Sequence, residues 1–190
     1  MQYTIREATT YDGDAISRIY CSYIPATAIT FEEQPVDGQE MSRRIEQTLA
    51  SHPFLVAETD GQTIGYAYGT SHRARASYRW AADVSVYLDA AHHRRGVGRA
   101  LYSVLLPLLA AQGYVTVHAG ITMPNPASVA LHERMEFKLV GIFPNVGYKL
   151  GQWRDVGWWT RPLNNPRPKP DEPIPWPLMP RLRPVVHQAR

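Results

Sequence analysis

Val86-Tyr-Leu-Asp-Ala-Ala-His-His-Arg-Arg-Gly-Val-Gly-Arg-Ala-Leu101 is the stretch that decides the fold. A strand runs into a basic turn with two glycines, and the turn opens a long apolar helix. The first turn of a helix presents N–H groups without intrahelical partners and the positive end of the dipole, a setting that binds phosphate. Gly96 and Gly98 let the backbone approach a ligand closely, and Arg94, Arg95 and Arg99 bring positive charge. The stretch lacks the Lys-Ser/Thr ending of a Walker loop and the third glycine of a dinucleotide fingerprint. Its pattern alone also fits a plain strand–helix turn with solvent-facing arginines.

Outward from this turn, strand and helix patterns alternate. Ala82–Leu88 reads as a strand with Val84, Val86 and Leu88 on one face, and Gly96–Gln112 as a helix stopped by Gly113. Val115–Ile121 reads as a buried strand, and Asn125-Pro126 starts a helix through Met135. Upstream, Tyr3 and Ile5 suggest a first strand, and Asp14 is a candidate N-cap for a helix bearing Ile16, Ile19, Tyr20 and Tyr23. Asp37 with Glu40 announces a second helix. Phe54–Glu58 and Thr63–Gly69 meet at Asp60-Gly61, a hairpin signal. Phe137–Phe143 and Asp155–Thr160 are the last strand candidates of the domain. The expected fold is α/β, a mixed sheet flanked by helices.

Nine of the 16 prolines fall between Pro162 and Pro184. Proline fixes φ and lacks the N–H donor, which forbids helix and central strand there. The expected organisation is therefore a domain over residues 1–161 and an extended, polyproline-like arm over 162–190. The chain of 190 residues is 44% hydrophobic and 19% charged, ordinary globular usage. A formal charge of +3 is too small to argue for nucleic acid. The single cysteine, Cys21, excludes an internal disulfide framework and reads as a small core residue. No apolar run is long enough to span a membrane, and Met1–Arg6 lacks a signal-peptide pattern, so a cytoplasmic protein is expected.

The glycine turn resembles the pyrophosphate loop of the GNAT acetyltransferase superfamily, Gln/Arg-x-x-Gly-x-Gly/Ala, with His93 at the usual Gln/Arg place. Asn125-Pro-Ala-Ser128-Val-Ala-Leu131-His132-Glu133-Arg-Met-Glu136-Phe137 is similar to a second element of that superfamily, with Glu136 in place of its glycine. Thr30–Pro35, Trp80 to Tyr87, Ser128–Glu133 and Gly147–Trp158 narrow the resemblance to the phosphinothricin acetyltransferase family, over roughly Ile5 to Arg161.

The resemblance implies a GNAT fold, a mixed, mostly antiparallel twisted sheet splayed between Ala82–Leu88 and Val115–Ile121. It also implies direct attack of an amine on acetyl-CoA, with no metal. Val86, Tyr87 and Leu88 would pair with the pantetheine arm, as an added strand does. Arg94, Arg95, Gly96, Val97, Gly98 and Arg99 would cradle the pyrophosphate, and Asn125 and Ser128 would also meet the cofactor. Asp83 stands at the family's glutamate position as proton acceptor. Being one methylene shorter, it would work through a water. His132 would protonate the leaving thiolate, and a structural hydrogen-bonded histidine fits the same position.

Phe31, Tyr66, Tyr68, Tyr87, Trp80 and Tyr148 are candidate walls of an acceptor pocket. Arg73, Arg75 and Arg79 are candidate partners for the acceptor's carboxylate or phosphinate. Glu32 stands where some relatives carry arginine. His52, His72, His92 and His118 show no metal-ligand spacing and are assigned no role. The resemblance further implies a homodimer, with the arm able to cross to the partner. Two rivals remain open: a protein N-terminus or polyamine as acceptor, and a non-catalytic acyl-CoA-binding module whose basic, proline-rich tail is a docking ligand.

Overall fold

The computed structural model describes residues 1–188. Eight strands form one sheet: β1 (Gln2–Glu7), β2 (Phe54–Thr59), β3 (Gln62–Ser71), β4 (Ala81–Leu88), β5 (Thr116–Thr122), β6 (Lys138–Lys149), β7 (Gln152–Pro162) and β8 (Val185–Gln188). Their order is β6-β7-β5-β4-β3-β2-β1-β8, and every neighbouring pair is antiparallel except β4–β5. The helices are α1 (Gly13–Tyr23), α2 (Gly38–Leu49), α3 (Val97–Gln112) and α4 (Pro126–Arg134).

Strand alternation sorts the side chains into two cores. On one face α3 buries Leu101, Leu105 and Leu109 against Leu55, Ala67, Val117 and Ala119, and α4 adds Leu131. On the other, α1 and α2 bury Ile16, Ile19, Met41 and Ile45 against Phe54, Val56 and Tyr66. The Asp60-Gly61 hairpin forms as expected, both residues having positive φ. Asp37 caps α2 by accepting a 2.8 Å bond from the Glu40 N–H. Asp14 is not the cap of α1, because the helix already begins at Gly13. Asp12, just before it, instead accepts from Arg6 at 2.8 Å and from the Thr9 N–H at 2.7 Å.

Two sequence expectations need correcting. The last hairpin, β6–β7, is longer than the two short segments suggested, because a register shift between Phe143 and Gly147 absorbs Pro144 and lets pairing resume. The proline-rich tail is extended but is not a free arm. It runs back over its own domain, buries Trp176, and ends as β8 on the open edge of β1. Prolines exclude helix and sheet interior, yet they leave a strand free to form after the last of them, at an edge.

Candidate active site

The decisive local feature is where β4 and β5 part. Their parallel pairing covers only Ala81–Thr116, Ala82–Val117 and Asp83–His118, although both strands continue further. Across β4's other edge, the Asp89 N–H donates to the Ile64 carbonyl at 2.9 Å. With the β3–β4 register this fixes the phase of the ladder: Asp83, Ser85 and Tyr87 exchange bonds with β3. The backbone groups of Val84, Val86 and Leu88 therefore face the gap, a strand edge opened inside a sheet, while that of Tyr87 points to β3. One lone pair of the Leu88 carbonyl is already taken by the Tyr23 hydroxyl at 2.5 Å.

At the end of β4 the chain turns into α3 through Arg94 and Gly96, with φ of 59° and 80°. Such a left-handed turn costs a side chain about 1–2 kcal/mol, which is why glycine occupies the helix boundary. The first helical bond runs from the Ala100 N–H to the Gly96 carbonyl, leaving the N–H groups of Val97, Gly98 and Arg99 without helical acceptors. Arg94, Arg95 and Arg99 are exposed around them. Gly98, by contrast, faces inward: a Cβ there would lie 3.2 Å from Leu131 and 3.5 Å from Leu88. Its small size serves the approach of α3 to the sheet, while its N–H belongs to the open set.

Asp83 lies where the strands part, on the α1/α2 face. Its carboxylate accepts from His72 Nδ1 at 2.7 Å, and the His72 ring lies 4.4 Å from that of His118. Trp158 closes the cluster edge-on to His72, with the Arg73 guanidinium 5.6 Å above the indole. Burial raises the Asp83 carboxyl above its ordinary value, and the His72 bond and Arg73 pull the other way. Burial, and then the neighbouring His72 and Arg73, hold His118 down. His72 and His118, assigned no role above, are thus brought to the carboxylate. The signal was available: antiparallel pairing of β3 and β4 carries the residue after Ser71 back to Asp83's end of the hairpin.

His132 is 3% exposed, its Nδ1 lies 2.8 Å from the Ser128 carbonyl, and its Nε2 lies 3.1 Å from the Tyr102 hydroxyl. Of the two roles open to it in the sequence, this geometry favours the structural one. Asn125 spends its side-chain oxygen on capping α4 at the Ser128 N–H, 3.1 Å away, and Ser128 packs against His132. Tyr87 turns its ring into a cluster with Tyr20, Tyr23 and Tyr66 and its backbone toward β3, so neither faces the gap.

A cleft of about 340 Å³ opens on the α1/α2 face, lined by Tyr20, Arg44, His52, Tyr66, Tyr68 and Thr70 among others. Thr70 pairs with Asp83 across β3–β4, which sets the cleft one strand from the carboxylate. Of the expected pocket walls, Tyr66 and Tyr68 line it. Phe31 instead packs on the backbone of Gly147, and Tyr148 stands exposed beside Trp153. Arg73 is at the Asp83 cluster, whereas Arg75 is exposed. Arg79 and Trp80 are corrected: Arg79 pairs with Glu172, and the Trp80 N–H donates to the Asp171 carbonyl at 2.8 Å, so both hold the tail. Arg44, not singled out in the sequence, is a cleft cation ion-paired with Glu32 and Glu40.

Residues 5–158 fit the acetyltransferase (GNAT) domain. The chain belongs to that family. Among curated proteins, a phosphinothricin N-acetyltransferase of Streptomyces viridochromogenes is 38% identical over 171 residues, 90% of this chain and 93% of that protein. An L-methionine sulfoximine/L-methionine sulfone acetyltransferase of Salmonella typhimurium is 34% identical, over 80% of this chain and 90% of its own. The crystal structure of a GNAT superfamily phosphinothricin acetyltransferase from Sinorhizobium meliloti, in complex with acetyl-CoA, superposes with a TM-score of 0.86 at 34% identity, covering 92% of this chain and 96% of that one. This GNAT chain is therefore an acetyl-CoA-dependent N-acetyltransferase. No helix is long and apolar enough to cross a membrane, and no cluster of three potential metal ligands occurs among the described residues.

Proposed function

We propose that this acetyltransferase acetylates the α-amine of a small amino acid bearing a second anionic or strongly polar group, such as phosphinothricin or methionine sulfoximine. The observation that carries the reading is the early end of β4–β5 pairing at Asp83–His118, with free strand groups on one side and a carboxylate at the mouth. The groups present fit acetyl-CoA: Val84, Val86 and Leu88 offer an unpaired edge to an amide-bearing arm, and the open N–H groups and arginines of α3 suit a pyrophosphate. Bound there, acetyl-CoA supplies the acetyl group as a thioester. The ammonium loses its proton toward Asp83, whose short side chain requires a bridging group. Arg73 beside the same carboxylate suits the acceptor's own oxyanion.

Two aspects of this reading concern the whole assembly. The outer strand β6 exposes Leu139, Val140, Ile142, Phe143 and Val146, apolar side chains at a sheet edge open to pairing with a second copy. A homodimer goes with it, checked by a dimer mass in light scattering. A cytoplasmic location, where acetyl-CoA is at hand, completes the reading. The testing experiment is CoA thiol release from acetyl-CoA with phosphinothricin, methionine sulfoximine, ordinary amino acids and polyamines. Fast turnover with the first two is expected, and turnover with polyamines alone would replace the reading.

A further inference from the structure

Asp83 does not face an open cleft directly. Its Oδ1 is held at 2.7 Å by His72 Nδ1, and the side chain of His72 is 15% exposed against 25% for Asp83. A neutral imidazole that donates Nδ1–H to a carboxylate carries its lone pair on Nε2, so the hydrogen bond selects the tautomer. His72 Nε2 makes no hydrogen bond to any of the described residues, nor is it among their buried unpaired atoms. The carboxylate is therefore bonded to an imidazole whose second nitrogen has no partner among the described residues.

We propose that His72 and Asp83 form a catalytic dyad in which His72 Nε2 takes the proton from the substrate ammonium and Asp83 orients the ring. This rests on the acetyl-transfer reading above and names the bridging group it requires. In the step, the ammonium N–H bond breaks and its proton goes to His72 Nε2. The freed lone pair forms the N–C bond at the thioester carbonyl, the C–S bond breaks, and the nitrogen's second proton passes to the departing sulfur. His72 then releases its proton to water, which leaves an amide, a free thiol and one proton.

The surroundings of His72 favour it over its neighbours as the base. Asp83 faces it from β4, His118 from β5 and Trp158 from β7, with Arg73 beside it in sequence and Tyr78 edge-on at 6.0 Å. Only Asp83 is an anion, and it holds the His72 Nδ1–H, leaving Nε2 as the basic nitrogen. His118 has no carboxylate partner among the described residues, is held down by burial, and lies tilted at 31° to the His72 ring. An imidazole also titrates closer to neutral pH than a carboxylate, which suits a general base.

His72→Asn tests the dyad, because its amide can reproduce the Nδ1–H bond to Asp83 yet offers no base. The expected result is a fall in kcat/KM of about 10²–10⁴-fold with acetyl-CoA affinity unchanged. Without turnover as a readout, ¹⁵N-imidazole NMR of the full chain should show His72 as the Nδ1–H tautomer in the unaltered protein and a changed tautomer balance in Asp83→Asn. Undiminished kcat/KM in His72→Asn, or a His72 tautomer indifferent to Asp83→Asn, would overturn the dyad alone. Absence of turnover by the unaltered protein with every amine would overturn the acetyl-transfer reading and the dyad with it.

Discussion

His52 is buried between α2 and the start of β5, with Nδ1 2.7 Å from the Ser51 hydroxyl and Nε2 2.7 Å from the Tyr114 hydroxyl. Burial pushes its imidazole down to about 4, against an ordinary 6.5. Because the folded pKa is the lower one, the unfolded chain binds the proton first as pH falls. His52 therefore contributes stability that is complete above about pH 6.5 and is lost progressively toward pH 4, roughly 3 kcal/mol in all at about 1.4 per unit. The urea midpoint should drop more steeply between pH 7 and 4.5 in the unaltered protein than in His52→Gln. Parallel slopes would show that this imidazole is not the titrating group. Residue roles of this kind were the least legible part of the sequence. His132 fitted either a proton donor or a structural histidine, and only the depth of the ring and the Tyr102 hydroxyl reveal a core network. His72 looked idle, because its partner is eleven positions away across a hairpin.

Among the elements, the strand–turn–helix from β4 to α3 was read correctly because each of its parts has a local cause. Alternation marks the strand, the glycine takes a left-handed φ, and Gly113 stops the helix at φ 102°. What local pattern could not tell is which way each glycine faces. Gly98 stands against Leu131, Leu88 and Val86 on the core side of α3. Gly98→Val should thus cost about 1–3 kcal/mol through overpacking, read by chemical denaturation, and weaken acetyl-CoA binding as α3 shifts from β4. A stable variant with weakened binding would mean that the side chain obstructs the ligand instead. The β6–β7 hairpin was underestimated for a related reason. Pro144 and the positive φ of Asn145 look like an end, whereas a register shift carries the pairing past them.

Across the molecule, the mostly antiparallel sheet and its split were implied by family resemblance, composition gave only the class, and the strand order came with the structure. The tail's course could not be read from proline content, since prolines state which conformations are forbidden and not which surface the chain meets. That surface is specified by a few apolar and polar anchors. Trp176 is buried with its Nε1–H donating to Glu7 at 3.0 Å, and Gln112 Nε2 donates to the Ile174 carbonyl at 2.7 Å. Asp171 and Glu172 hold Trp80 and Arg79 on the loop that leads into β4. Trp176→Ala should destabilise the protein by about 3–5 kcal/mol and open the tail to rapid limited proteolysis. A protease-resistant variant of unchanged stability would mean that the tail is held without this anchor.

The pairing of β1 with β8 sets Gln2 opposite Gln188 and so makes neighbours of segments that lie far apart along the chain. On the ribosome β1 emerges long before β8, and throughout synthesis its outer edge is a row of unmatched donors and acceptors. Nascent copies side by side on one message could join at that edge before their own last strand arrives. The sheet is complete only once β8 has emerged, so any pause in making the proline tract lengthens the interval of exposure.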